Sequence, residues 1–343
     1  MKKLQVVALG LLLALTVAGC GKESSSESKH TGVEFEPVET PVSAPVEEAA
    51  PEEPEVEEEE IDLDQPPEEG MVRDFFTNEW VDADQNVKRP LAVMYPINKQ
   101  AQPQYGLDKV RVFYEIMEEG DMSRQMGILE EWENLDRIGN IRSIRDYFVY
   151  AALEYDPIII HYGGPEVYVR DILTRSDVDN LNGVGGVMGS DGGAFFRVPA
   201  GSTSEHTAFT DGAHVAAGMD KLGFQANHKT EYIGEKHFQF ATFNEPNTLE
   251  QYGSEAQTAK EINMAGSYPA TQSALSYNEE DGLYYKTLYG NKQVDAESGN
   301  QLTFKNIVVQ STYYEKRDAN GYLAFQMHDT TRDGYFITNG KMI

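Results

Sequence analysis

Apolar residues recur along this chain from about residue 90, and their period changes near residue 234. Leu91-Ala92-Val93-Met94, entered through Arg89-Pro90, is a short apolar run that predicts a buried strand. Val110-Arg111-Val112-Phe113-Tyr114 alternates and fits a strand or a helix. Met126 to Trp132 is a longer apolar run and predicts a strand. From Arg142 to Tyr155, the residues Ile144, Phe148, Ala151, Ala152 and Tyr155 recur at three- and four-residue spacing, which predicts a helix. Pro157-Ile158-Ile159-Ile160 is β-branched and predicts a second buried strand, broken by Gly163-Gly164-Pro165. Pro165 suits the first turn of a helix running to about Thr174, with Glu166 favourable near its positive end. Gly183 to Gly193 is too glycine-rich for a regular element and reads as a mobile or tightly turned loop, with a lid as one use for it. Another helix is expected over Asp211–Leu222, stopped by Gly223. Strand, helix, strand, turn, helix is the order of a parallel α/β unit, so an α/β N-terminal domain is expected over 71–233.

After about residue 234 the helical period fades. Asp281-Gly282 precedes the run Leu283 to Tyr289, and Asn306 to Gln310 reads as a strand. Asn320-Gly321, between Ser311–Arg317 and Tyr322–Met327, is the strongest hairpin signal in the chain. Asp333-Gly334 and Asn339-Gly340 follow. A mostly antiparallel β C-terminal domain (α+β in class) is expected over 234–343.

The first 70 residues change the picture again. Lys2-Lys3, an apolar stretch from Leu4 to Val17, and the small residues Ala18-Gly19 before Cys20 have the form of a secretory signal. The apolar stretch is short of the ~20 residues a bilayer span needs. Cys20 is the only cysteine, so no intrachain disulfide is available. Residues 21 to 70 are rich in Ser, Pro and Glu, with the run Glu57-Glu58-Glu59-Glu60. Such a segment buries too little apolar surface to offset its ordering entropy, so a disordered acidic linker is expected. It would reach between ~40 Å as a coil and ~150 Å as polyproline II. A stalk is the leading use for it; an acidic ligand for a basic partner is the competing one.

The net charge is −29, and about half of it falls before residue 71, leaving roughly −15 on the rest. No nucleic-acid partner is expected, because phosphate binding rests on clustered Lys and Arg. An anionic ligand would have to be met by a local arginine cluster.

Val17-Ala18-Gly19-Cys20 resembles the lipobox of bacterial lipoproteins, which implies cleavage before Cys20 and lipidation of its thiol. The chain would then be extracytoplasmic, anchored to the outer face of the cytoplasmic membrane. The body resembles the YerB-like lipoproteins, a bacterial family of unknown function with an N-terminal and a C-terminal part. The resemblance rests on Arg89 to Met94, Pro103-Gln104-Tyr105-Gly106-Leu107, Ser123-Arg124, Ile138 to Phe148, His161-Tyr162-Gly163-Gly164 and Phe195-Phe196-Arg197. Asp295 with Gly299, Gln301-Leu302 and Lys305 to Val309 carry it into the second part. Tyr95-Pro96-Ile97-Asn98 stands where the family has paired asparagines, and Glu205-His206-Thr207 where it has Pro-His-Asn. The family runs on past the point where Lys341-Met342-Ile343 ends this sequence, which is the pattern of a truncated chain. A weaker similarity joins Ser143-Ile144-Arg145-Asp146 and Tyr162 to Glu166 to the LytR-CpsA-Psr phosphotransferases. It implies arginines and aspartates that hold a polyprenyl pyrophosphate and a divalent metal.

The candidate ligand-binding residues are Arg124, Arg142, Arg145 and His161. Arg142 and Arg145 are three apart at the start of the expected helix, where forked guanidiniums and free backbone N–H groups suit phosphate or carboxylate. Cations are otherwise unfavourable at that end by ~0.3–1 kcal/mol each. The competing reading pairs these arginines with Glu115, Glu118, Glu119 or Asp121 in internal salt bridges. Asp146 is the candidate metal ligand or base, against a purely structural role. His161, at the end of a buried strand, points to the edge where α/β folds bind ligands, against a satisfied core histidine. His206, Asp211 and His214 lack a recognised metal spacing, so no metal site is expected. The leading function is a lipid-anchored cell-envelope protein that binds an anionic ligand, such as a wall precursor or an envelope protein, with no cofactor. The enzyme alternative is a LytR-CpsA-Psr-like phosphotransferase using a divalent cation. A solute-binding lipoprotein is disfavoured, because the second half is not a repeat of the first.

Overall fold

The computed structural model describes residues 62–199, 204–232, 238–327 and 332–343. The signal segment, Cys20 and most of the expected linker lie outside them. The last stretch of that linker is folded onto the body. Asp64 accepts from the backbone N–H groups of Phe243 and Asn244 at 2.9 and 3.0 Å and pairs with Arg73 at 3.0 Å. No helix among the described residues is long and apolar enough to cross a membrane.

The N-terminal half is built on a five-stranded sheet. Its strands are β1 (Leu91–Tyr95), β2 (Val110–Met117), β3 (Ser123–Leu129), β4 (Ile158–His161) and β5 (Asp179–Asn182). The spatial order is β2-β3-β1-β4-β5. β1, β4 and β5 are parallel, and β2 and β3 are added antiparallel at one edge. The ambiguous Val110 run is therefore a strand. The run from Met126 ends its strand at Leu129, and Trp132 lies in a short 3₁₀ turn.

All of β1 is buried, and its alternation separates two cores. Ala92 and Met94 face helices α1 (Asp146–Ala152) and α2 (Glu166–Leu173), in a layer with Phe148, Ile159 and Val169. Leu91, Val93 and Tyr95 face the other side, with Ile160, Leu181 and helix α3 (Gly212–Leu222) through Val215 and Met219. Helices thus cover both faces, as parallel strands require. α3 ends at Gly223 as its sequence predicts and starts one residue inside the expected range. Asp211 caps it by accepting from the His214 N–H at 2.7 Å, and Gly223 closes it at φ +74°.

α1 departs from expectation. It begins at Asp146 rather than Arg142, and Arg145 is its N-cap residue. Residues 141–144 are instead extended across the carboxyl ends of the two central strands. The Arg142 N–H donates to Met94 O at 2.9 Å, the Tyr162 N–H to Arg142 O at 3.0 Å, and the Ile144 N–H to Gly163 O at 3.0 Å. These sheet-edge bonds override the helical period of the segment.

The C-terminal half is mostly antiparallel. One sheet holds β6 (Glu261–Asn263), β7 (Ala274–Asn278) and β8 (Leu283–Leu288). Another holds β9 (Asn306–Gln310), β12 (Gly334–Thr338) and β13 (Lys341–Met342). Between them in sequence, β10 (Tyr314–Lys316) and β11 (Leu323–Phe325) form the hairpin expected at Asn320-Gly321. Its loop is longer than two residues, because Arg317 and Tyr322 still bond across it. Asn339-Gly340 is a true two-residue turn, with φ of +49° and +71°.

A buried polar network joins the halves. Lys286 of β8 reaches Glu115 of β2 at 2.6 Å, and Ser123 and Ser273 donate to the same carboxylate at 2.5 and 2.9 Å. Gln125 and Gln293 exchange side-chain amide bonds at 3.3 and 2.8 Å. Burial pushes the Glu115 carboxyl up, but the Lys286 ammonium and the hydroxyls outweigh it and hold the group below its ordinary value.

Candidate functional site at the carboxyl edge of the parallel strands

The three arginines nominated by sequence come together, and they divide into two kinds. Arg124 projects from β3 and is buried. Its Nε lies 2.6 Å from Glu118 Oε2, and its other nitrogens donate to Glu118 Oε1 at 2.9 Å and Ser143 O at 2.6 Å. Arg145 makes a fork to Glu119 at 2.9 and 2.6 Å and donates to Ile144 O at 3.0 Å. Its guanidinium also lies 5.3 Å from the Tyr322 ring. Burial alone would lower the Arg145 pKa, but the Glu119 hydrogen bonds raise it, and Glu119 is held correspondingly low. The competing internal salt-bridge reading therefore describes Arg124 and Arg145.

Arg142 is different. It sits on the extended segment, and its side chain is 26% exposed. Among the described residues its one ion-pair partner is Glu205, whose carboxylate lies 3.6 Å away on a side chain 65% exposed and whose backbone carbonyl accepts from Arg142 Nη1 at 3.3 Å. Its Nε is buried with no hydrogen-bond partner among the described residues. Burial and the Arg124 charge lower its pKa. Beside it, His206 is buried, and its Nδ1 also lacks a partner among the described residues. Burial and the Arg142 charge hold that imidazole below its ordinary pKa, in the neutral form that can accept a hydrogen bond.

Arg197 and Tyr162 extend this edge. Arg197 donates to the Tyr162 hydroxyl and to Thr207 Oγ1, each at 2.8 Å, with its guanidinium 4.9 Å from the Tyr162 ring. Tyr162 can lie there because Gly183 has no side chain; a Cβ would meet the ring at 2.2 Å. The glycine-rich loop is tightly turned. The Gly183 N–H donates to His161 O, and Asn182 Oδ1 accepts from Gly163 and Val184. Val184 and Val187 are exposed on this loop.

The remaining candidates are placed otherwise. His161 is fully enclosed, with Nδ1 2.9 Å from Gly163 O and Nε2 3.1 Å from Asn180 Oδ1, so it positions loops rather than facing a ligand. Asp146 accepts from Arg317 of the β10–β11 hairpin at 2.5 Å. His214 pairs with Asp211 at 2.8 Å. No group of three metal-ligating side chains occurs among the described residues. Sequence reasoning passed over Arg197 as a site residue, although it stands in the motif Phe195-Phe196-Arg197.

Residues 76–225 match the N-terminal domain of the family described as "Protein of unknown function (DUF3048)", and residues 262–343 match its C-terminal domain. The chain belongs to this family. A relative from Bacillus subtilis (strain 168), named "Putative lipoprotein YerB", is 24% identical over 239 residues. That match covers 68% of this chain and 65% of the relative's length. The crystal structure of YerB protein from Bacillus subtilis superposes with a TM-score of 0.64 at 20% identity, over 79% of this chain and 85% of that one. This likeness shows the shared fold: an α/β half followed by a mostly antiparallel half.

Proposed function

We propose that this chain is an extracytoplasmic envelope lipoprotein, anchored through Cys20, that binds an anionic ligand at the carboxyl edge of its parallel strands. The observation that carries the reading is the contrast between the arginines. Arg124 and Arg145 are each paired at close range with the little-exposed carboxylates of Glu118 and Glu119, whereas Arg142 meets only the exposed carboxylate of Glu205 among the described residues and lies beside a neutral His206. Arg197 adds a second guanidinium on the same edge. In an acid-rich chain, this is where a phosphate or carboxylate finds forked donors. The exposed Val184 and Val187 favour an anion that carries an apolar chain, as a lipid-linked wall precursor does.

The test is binding of farnesyl pyrophosphate to the purified full chain. Arg142→Gln and Arg197→Gln should each weaken binding by about tenfold, the worth of one charge-assisted contact. Unchanged binding in both variants would remove the site. The anchor is tested separately: Cys20→Ala should abolish palmitate labelling and release the protein on cell fractionation, and labelling that persisted would remove the lipoprotein reading. Asp146 is tied to Arg317 rather than opened toward a ligand, so no observation here favours the phosphotransferase over binding.

A further inference from the structure

Four histidines lie among the described residues, and three of them face hydrogen-bond acceptors. His161 meets Gly163 O and Asn180 Oδ1, His214 meets Asp211 at 2.8 Å, and the buried His228 lies 3.4 Å from Asp156 Oδ2. His206 faces cations instead. It is 5% exposed and ends a 3₁₀ turn over Ser204–His206 that leads into the short strand Ala208–Thr210. Its Nδ1 has no hydrogen-bond partner among the described residues.

The groups around His206 come from several segments. Arg142 donates from Nη1 to Glu205 O at 3.3 Å, so its guanidinium lies at the peptide that joins Glu205 to His206. Arg124 projects toward the same segment from β3, donating to Ser143 O at 2.6 Å and holding Glu118. Arg197 approaches from the neighbouring strand and donates to Thr207 Oγ1 and to the Tyr162 hydroxyl. The carboxylate of Glu205, on the turn itself, is exposed and lies 3.6 Å from Arg142. Burial and the Arg142 charge, with a smaller push from Arg124, hold the imidazole below its ordinary pKa against the opposing pull of Glu205.

A neutral, enclosed imidazole beside guanidiniums responds to whatever neutralises them. An anion seated on Arg142 cancels a charge that keeps His206 neutral and adds its own attraction, so the imidazolium gains. The coupling is reciprocal: if the anion favours the proton, the proton favours the anion to the same extent. We infer that His206 is the pH sensor of the arginine edge, taking up a proton from water as an anion binds, so that binding tightens as pH falls. The inference rests on the anion-binding reading of that edge. Its sign is fixed by the two states. The free-state imidazole titrates below the ordinary histidine value, and the anion-bound one titrates above the free one. Affinity therefore starts to rise as pH falls through the bound-state value, gains up to about tenfold per pH unit, and levels off below the free-state value.

The probe is octyl sulfate, an anion with an apolar chain whose own charge stays fixed over the histidine range. It is titrated calorimetrically into the full chain from about pH 8 to about pH 5, on either side of the ordinary histidine value. Affinity should rise by up to about tenfold per pH unit over part of that range, and buffers of different ionisation enthalpy should register uptake of up to about one proton per anion bound. His206→Gln should show neither the rise nor the uptake. His214→Gln, at a histidine already paired with Asp211, should keep both. The buffer measurement needs only the unaltered chain, so it stands even if His206→Gln does not fold. Binding without proton uptake, or uptake that persists in folded His206→Gln, would overturn the sensor while leaving the anion site in place. Should farnesyl pyrophosphate alone bind, the difference in uptake between the parent and His206→Gln cancels the ligand's own titration, and equal uptake would overturn the sensor. Failure of both probes to bind at any pH would overturn the sensor and the anion site together.

Discussion

Replacing Arg145 by Gln should cost far more stability than replacing Arg142 by Gln, although the two lie three residues apart. The Arg145 side chain is 9% exposed and forks onto Glu119, itself only 19% exposed. Removing one partner of a buried pair costs about 3–5 kcal/mol, because the other charge is left without compensation. Glu118 would keep Arg124, but Glu119 would lose its fork, so a loss of about 3 kcal/mol is expected, tempered by the water that reaches Glu119. Arg142 faces one exposed carboxylate at 3.6 Å, a contact worth about 0–1 kcal/mol. Urea denaturation of the full chain measures both, since urea does not screen charge as guanidinium chloride does. The pH dependence supplies a second check. Arg145 holds the folded-state pKa of Glu119 below its unfolded value. The stability this contributes is present above the unfolded carboxylate value and is lost as pH falls through the folded one. Arg145→Gln should therefore flatten the acid limb of the stability curve, and Arg142→Gln should not. Equal losses for the two variants, or a loss under about 1 kcal/mol for Arg145→Gln, would refute the division into one structural and one available arginine.

Two further outcomes follow from buried charge. Burial and the neighbouring Asp74 push the Glu130 carboxyl up to about 8, against the partial opposition of Arg111, so the folded protein holds a proton there that the unfolded chain has released. Stability should then fall as pH rises from about 5 to about 8, and Glu130→Gln should remove that fall and gain on the order of 3 kcal/mol at pH 8. Melting temperatures across that range check it, and a variant whose curve runs parallel to the parent's would contradict it. At the boundary between the halves, Lys286→Met should cost about 3–5 kcal/mol by leaving Glu115 buried and unpaired. Adding Glu115→Gln should recover part of the loss in urea denaturation, and a double variant no better than the single one would show that the ion pair is not the source.

Much of the architecture was legible from local pattern. The β-branched run Ile158–Ile160, the Gly223 stop and the Asn339-Gly340 turn each carry their own conformational preference, and all appear where the sequence places them. The segment from Arg142 shows the limit. Its apolar spacing is helical, but Arg142 and Ile144 bond to Met94 and Gly163 across the sheet edge, and those partners are distant in sequence. A period of 3.6 carries no information about which carbonyls will be waiting. The candidate site divides in the same way. Sequence could nominate Arg124, Arg142 and Arg145, because cations stand out in an acidic chain. It could also name Glu118 and Glu119 as possible partners. Assigning those carboxylates to Arg124 and Arg145, and leaving Arg142 beside His206, required the β2–β3 turn to be brought against the start of α1. His161 was enclosed, and Asp146 tied to Arg317, by contacts with Asn180 and with a hairpin 171 residues away. Residue type and spacing by themselves determined which elements form and which side chains can carry charge. Pairing, burial and exposure depend on long-range contacts, and only the tertiary structure decided which of those charges are neutralised and which remain available.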